Sequence, residues 1–129
     1  MEKISVKTNK RIELIDVTKK IQEAVNKSKT KEGICFVFCP HTTAGITINE
    51  NADPSVQEDM INVFRKLIPE NAGYAHSEGN SDSHVKSSVF GSALTIFIEA
   101  GQLALGTWQG VFFCEGDGPR SREVWVKIR

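Results

Sequence analysis

Apolar and polar residues alternate at Ile4, Val6 and Thr8 and again at Ile12 and Leu14, so residues 1–15 read as two strands joined at a turn near Asn9-Lys10. The period then lengthens. Val17, Ile21, Ala24 and Val25 recur at helical spacing, which predicts an amphipathic helix opened by Asp16 as a cap and ending near Lys29, with Gly33 breaking the chain. Ile34-Cys35-Phe36-Val37-Phe38-Cys39 is apolar on both faces and reads as a central strand. Gly45-Ile46-Thr47-Ile48-Asn49 alternates and reads as the next, leaving His41-Thr42-Thr43 between the two.

Asp53-Pro54 signals a helix start, a capping carboxylate followed by a proline whose missing N–H costs nothing at the first helical position. Val56, Met60, Val63, Phe64 and Leu67 form its apolar stripe, and Pro69 stops it. A polar stretch follows, after which Ser81 or Asp82 can cap a short third helix running through Phe90 to Gly91. The remainder reads as strand: 93–98, a turn at Ala100-Gly101-Gln102, 107–114, and 124–128, with a Gly- and Pro-containing loop at 115–120. No repeat, linker or low-complexity tract interrupts this order. The expectation is one α+β domain over residues 1–129, mainly antiparallel and β-sandwich-like, with two to three helices.

Composition changes this picture little. Sixteen Lys and Arg balance sixteen Asp and Glu, which removes the long-range field that drives non-specific binding to nucleic acid or anionic membrane. No apolar run approaches the roughly 18 residues that span a bilayer, and no apolar segment follows a basic start at the N-terminus, so the expected location is the cytoplasm, with neither nucleic acid nor membrane as a partner. The three cysteines match no zinc-finger spacing. Cys35 and Cys114 read as small core residues; Cys39 has a second reading as a thiol activated by His41, two residues on.

The candidate chemistry concentrates in Tyr74-Ala75-His76-Ser77-Glu78-Gly79-Asn80-Ser81-Asp82-Ser83-His84, which holds two of the three histidines and two carboxylates. Imidazole is the commonest protein ligand for transition metals, and Glu or Asp can complete a coordination sphere or transfer protons. A solvated polar loop with helix caps accounts for the same residues, because the seven intervening residues exceed the three to five of familiar zinc pairs. His41, the third histidine, opens a second polar run that continues through Asn49-Glu50-Asn51. Thr42, Thr43 and Asn51 can donate hydrogen bonds to an anion, although threonine is also a good β-former. Asp117-Gly118-Pro119-Arg120 is a tight turn ending in a guanidinium fork suited to phosphate; read from the residues alone, a hairpin turn with a surface arginine is the reading it favours.

Five segments together closely resemble the YjbQ family: His41-Thr42-Thr43-Ala44-Gly45, Asn49 to Pro54, His76-x-Glu78-Gly79-Asn80-x-Asp82-x-His84, Gly106-Thr107-Trp108-Gln109-Gly110 and Asp117 to Arg120. The resemblance runs over essentially the whole chain. It implies a β-sandwich-like α+β fold, a homotrimer, and a polar metal-binding pocket near the subunit boundaries. It further implies a secondary, weak thiamine-phosphate synthase activity, joining a pyrimidine-methyl diphosphate to a thiazole phosphate with release of pyrophosphate. The expected assignments are Glu78, Asp82 and Arg120 in catalysis, Thr42, Thr43, Asn51, Lys86 and Asp117 around a phosphorylated small molecule, and His41, His76 and His84 on a divalent metal, zinc foremost and magnesium second. Such a reaction must neutralise a polyanionic leaving group, and only Arg120, Lys86 and a bound metal present themselves as cations in the motifs. A metal-dependent hydrolase and a non-catalytic metal- or metabolite-binding trimer remain the alternatives.

Overall fold

The computed structural model describes all 129 residues. The elements are β1 (Glu2–Lys7), β2 (Glu13–Asp16), α1 (Thr18–Ser28), β3 (Gly33–Phe38), β4 (Ala44–Glu50), α2 (Pro54–Leu67), α3 (Ser81–Phe90), β5 (Ala93–Glu99), β6 (Gln102–Leu103), β7 (Gln109–Glu115) and β8 (Ser121–Ile128). They build a large sheet in the order β1-β8-β3-β5-β6 and a small one in the order β2-β7-β4, all neighbours antiparallel. The sandwich expected from the pattern is therefore present, with three helices.

Alternation decides what each strand buries. Val6, Cys35, Val37, Ile96, Ile98, Val124 and Val126 of the large sheet meet Ala44, Ile46, Val111 and Phe113 of the small sheet, and Val17, Ile21, Ala24 and Val25 of the first helix region close the same core. β7 is buried from Gly110 to Glu115, because α2 and α3 lie over the small sheet through contacts with β2 and β4. Gly45 lets α3 settle there: a Cβ at this position would stand 2.5 Å from both the Phe90 Cβ and the Gly91 carbonyl oxygen.

Local chemistry sets the helix ends. The Asp53 carboxylate accepts the Ser55 N–H at 2.9 Å and Pro54 opens α2. Asp16 accepts the Thr18 N–H at 2.9 Å, although it stands one residue before the formal cap of α1. Lys29, in the left-handed region at φ 58°, ends that helix. The third helix differs from expectation. Neither Ser81 nor Asp82 caps it; the Asn80 carbonyl accepts the Ser83 N–H, and Asp82 turns inward. The first two strands also part company, β1 pairing with β8 and β2 with β7. Glu13 accepts the Asn9 and Lys10 N–H groups and so ties down the turn in which the chain crosses between sheets. β7 begins at Gln109, two residues later than the pattern suggests, because Gln109 closes a turn on Gly106 through a 3.0 Å backbone bond and a 2.8 Å side-chain bond.

Two surfaces stay apolar in the single chain. The outer face of the large sheet carries Phe36, Phe38 and Phe97, the last 64% exposed, beside Trp125, whose ring lies 5.8 Å from that of Phe38. α2 buries none of its residues fully, and Val63, Leu67, Val85 and Val89 on α2 and α3 face outward.

Candidate functional site

One end of the small sheet gathers the start of β4, the end of β7, the 116–120 loop and the start of α3. Three carboxylates organise it. Glu115, fully buried on the last residue of β7, accepts Arg122 Nε at 2.8 Å, Thr8 Oγ1 at 2.9 Å and the Asp117 N–H at 2.9 Å. Arg122 also reaches Thr43 Oγ1 at 2.9 Å, which ties β8 to the start of β4. Asp117 accepts Asn80 Nδ2 at 2.9 Å and Arg120 Nη2 at 3.0 Å. Asp82, with no solvent exposure, is gripped bidentately by Arg11 at 3.0 Å and 3.0 Å and by Lys86 Nζ at 2.6 Å.

These contacts explain why α3 starts where it does. Ser83 donates its hydroxyl to the Gly116 carbonyl, the Gly116 N–H bonds the Thr43 carbonyl at 3.0 Å, and Ser87 Oγ reaches the Ala44 carbonyl at 2.7 Å. The helix, the loop and β4 thus share one chain of hydrogen bonds. Burial alone would raise the Asp82 pKa, but the hydrogen bonds and charges of Arg11 and Lys86 outweigh it, so the carboxyl stays below its ordinary range and ionised. Asp82 in turn raises Arg11.

The histidines divide. The His76 and His84 rings stand edge to face at 5.4 Å, and Glu78 Oε2 lies 3.8 Å from His76 Nε2. His41 sits elsewhere: its ring meets Phe113 edge-on at 6.3 Å and its Nε2 accepts the Glu123 N–H at 2.9 Å. Desolvation, followed by the charge of Arg122, pushes the His41 pKa down, so the ring is held neutral as that acceptor. A single three-histidine centre is therefore not assembled within one chain, and no three His, Cys, Asp or Glu side chains converge to hold a metal. The donor types at His76, His84 and Glu78 suit a divalent transition metal, but the chain leaves the set open. Cys39 is buried, and desolvation raises its thiol pKa, which opposes the activated-thiolate reading. Burial likewise pushes Cys35 up to about 11.

The remaining predicted residues separate along β4. Thr43, Asp117 and Lys86 belong to the end just described, and Thr42 is exposed beside it. Asn51 stands beyond the other end of the strand, roughly 20 Å away at about 3.3 Å per residue. There its side chain donates to Asp16 at 3.2 Å, its N–H bonds the Trp108 carbonyl at 2.9 Å, and it packs against Gly110. Trp108 is 63% exposed at that end. Sequence reasoning overlooked Arg11, Glu115, Arg122 and Thr8: the Arg11–Asp82, Thr8–Glu115 and Arg122–Thr43 contacts span 71, 107 and 79 residues, and for Glu115 and Arg122, only 7 residues apart, the one available signal was charge at the ends of otherwise apolar strand runs.

Replacing Asp82 with Ala strands Lys86 in the interior without its counter-charge, and the expected loss at neutral pH is about 3–5 kcal/mol of stability. The Asp82 pKa is depressed in the folded state, so its contribution is present above the ordinary carboxyl pKa of about 4 and fades as pH falls through the lower folded value. Denaturant unfolding of both proteins between neutral and strongly acid pH checks this: the gap narrows in acid, and an equal gap at all pH values contradicts it.

Comparison with known proteins agrees with this architecture. A sequence model of the YjbQ family, described as UPF0047 protein YjbQ-like, matches residues 2–129. A UPF0047 protein of Methanocaldococcus jannaschii is 59% identical over 98% of this chain and 91% of its own length, and YugU of Bacillus subtilis is 45% identical over 99% and 98%. Among solved structures, a YjbQ/UPF0047-family protein of Clostridium acetobutylicum superposes with a TM-score of 0.98 at 50% identity, covering all of both chains. A conserved hypothetical protein of Thermus thermophilus reaches 0.93 at 38%, again over all of both chains. The chain belongs to the YjbQ, or UPF0047, family.

Proposed function

We propose that this protein binds phosphorylated small molecules at the α3 end of the small sheet and supports a weak thiamine-phosphate-synthase-like transfer. The observation that carries the reading is the set of cations held there on a rigid carboxylate frame, Arg11 and Lys86 by Asp82 and Arg120 by Asp117. In that reaction the thiazole nitrogen lone pair forms a C–N bond to the pyrimidine methylene carbon, the C–O bond to the diphosphate breaks, and pyrophosphate leaves with the electron pair. No proton has to move in this step. The demands are proximity and neutralisation of the leaving anion, which arginine and lysine meet without a general base. Asp82, buried in its ion pairs, then acts through Arg11 and Lys86, and exposed Glu78, beside His76, is the carboxylate that can face a substrate amine when it is not holding a metal.

Arg120 projects its half-exposed guanidinium from a backbone held by the Arg120 N–H to Thr8 Oγ1 bond of 2.8 Å, so its charge is placed rather than free-swinging. A divalent metal, zinc or magnesium, at His76, His84 and Glu78 would add positive charge when bound. The assembly in this reading is a homotrimer. Its support is the apolar outer face at Phe36, Phe38 and Phe97, and exposed Trp108.

Purified protein supplied with both precursors should form thiamine phosphate slowly, and Arg120→Ala should cut the rate at least tenfold, while Glu78→Gln changes it less. No product above the uncatalysed background moves the assignment to a non-catalytic binding protein, and release of phosphate from simple esters by metal-loaded protein moves it to a hydrolase. Elemental analysis should find a divalent metal that falls in His76→Ala and His84→Ala and persists in His41→Ala; equal content in all three opposes the His76–His84 assignment. Light scattering should return three times the 14.3 kDa chain mass, and Phe97→Glu should lower it; a monomeric wild type removes the trimer.

A further inference from the structure

A cavity of about 300 Å³ opens beside this frame, lined by Arg11, Ile12, Arg65, Glu70 and Lys86. Its floor is unusual for a surface cleft. Lys86 is 1% exposed, and of the three protons on its ammonium group Asp82 takes one through the 2.6 Å bond. Arg11 spends both terminal nitrogens on Asp82, while its Nε faces Glu70 Oε1 across 3.4 Å. Arg65 enters from the last turn of α2, and none of the chain's ion pairs involves it.

We propose that this cavity is a phosphoryl-binding site, in which Arg65 and Lys86 contact the anion and Glu70 is a resident counter-charge that the ligand displaces from Arg11. The charges favour a dianion. Arg11, Arg65 and Lys86 face Asp82 and Glu70, and when half-exposed Glu70 swings into water, two positive charges remain unbalanced toward the cavity. Asp82 cannot do the same, because it is buried and held by both cations. The Arg65 fork suits a tetrahedral oxyanion, and Lys86 supplies a fixed point charge from below. The space suffices for a phosphate with part of the molecule that carries it. The inference names the phosphate subsite of the binding reading above, and it concerns binding only, so it stands whether or not the transfer reaction occurs.

Calorimetric titration of the whole protein with inorganic phosphate at constant ionic strength tests it, with acetate as the monoanionic comparison and product formation measured separately. Wild type should bind phosphate saturably and acetate at least tenfold more weakly. Arg65→Ala should weaken phosphate binding at least tenfold, and Lys66→Ala, which removes a neighbouring α2 charge outside the cavity, should change it less than twofold. Glu70→Gln should tighten it several-fold by removing the competing carboxylate. Absence of saturable binding, equal affinity for acetate, equal losses in Arg65→Ala and Lys66→Ala, or weaker binding in Glu70→Gln each overturns the site. Lost product formation with these affinities intact counts against the transfer reaction alone.

Discussion

The rest of this structure depends on the pairing of two buried carboxylates with cations, one of them, Arg11, drawn from 71 residues away. Asp82 and Glu115 have no access to water, and an isolated charge in such a position would be driven to neutrality or would unfold its surroundings. Each is met by an arginine from another element, Arg11 ahead of β2 and Arg122 on β8, and each collects a second donor, Lys86 or Thr8. These pairs fix position more than they add net stability, since the cost of desolvation consumes much of the attraction. What they secure is register: α3, the 116–120 loop and the ends of β1, β4 and β8 cannot shift without stranding a charge.

In the phosphate-binding reading proposed above, that frame is what would hold cations ready for a ligand. Arginine and lysine side chains are long and lose much rotational freedom when they bind, so a site that holds them in advance loses less on association. Asp82 and Asp117 do this for Arg11, Lys86 and Arg120 while leaving some of their donors unspent. The arrangement stays modest beside a glycine-rich phosphate loop on a helix N-terminus, which surrounds its ligand with backbone N–H groups.

The polar motifs occupy both ends of the small sheet. The His41-Thr42-Thr43, 76–84 and 117–120 segments lie toward one end, whereas Asn51 and the 106–110 turn lie at the other, joined by the Asn51 contact to Gly110. Between them run β4 and β7, paired along their whole length, with β7 buried on both faces. The exposed aromatic residues of the large sheet stand outside both.

Much of the fold was legible in the sequence because it follows from local rules. Period-two alternation or a continuous apolar run named the strands, the spacing of Val17, Ile21, Ala24 and Val25 named α1, and Asp53-Pro54 and Pro69 bracketed α2. The polar segments were equally visible as candidates. Their mutual arrangement was not, since spacing along the chain says nothing about which loops meet. Tertiary structure alone separated His41 from His76 and His84, sent Asn51 to the far end of the sheet, and turned Asp82 from an expected helix cap into a buried counter-ion. It alone also drew Arg11 to a carboxylate 71 residues on and Arg122 to Thr43, 79 residues back, because strand pairing and sheet packing, rather than any local preference, bring such partners within hydrogen-bond reach.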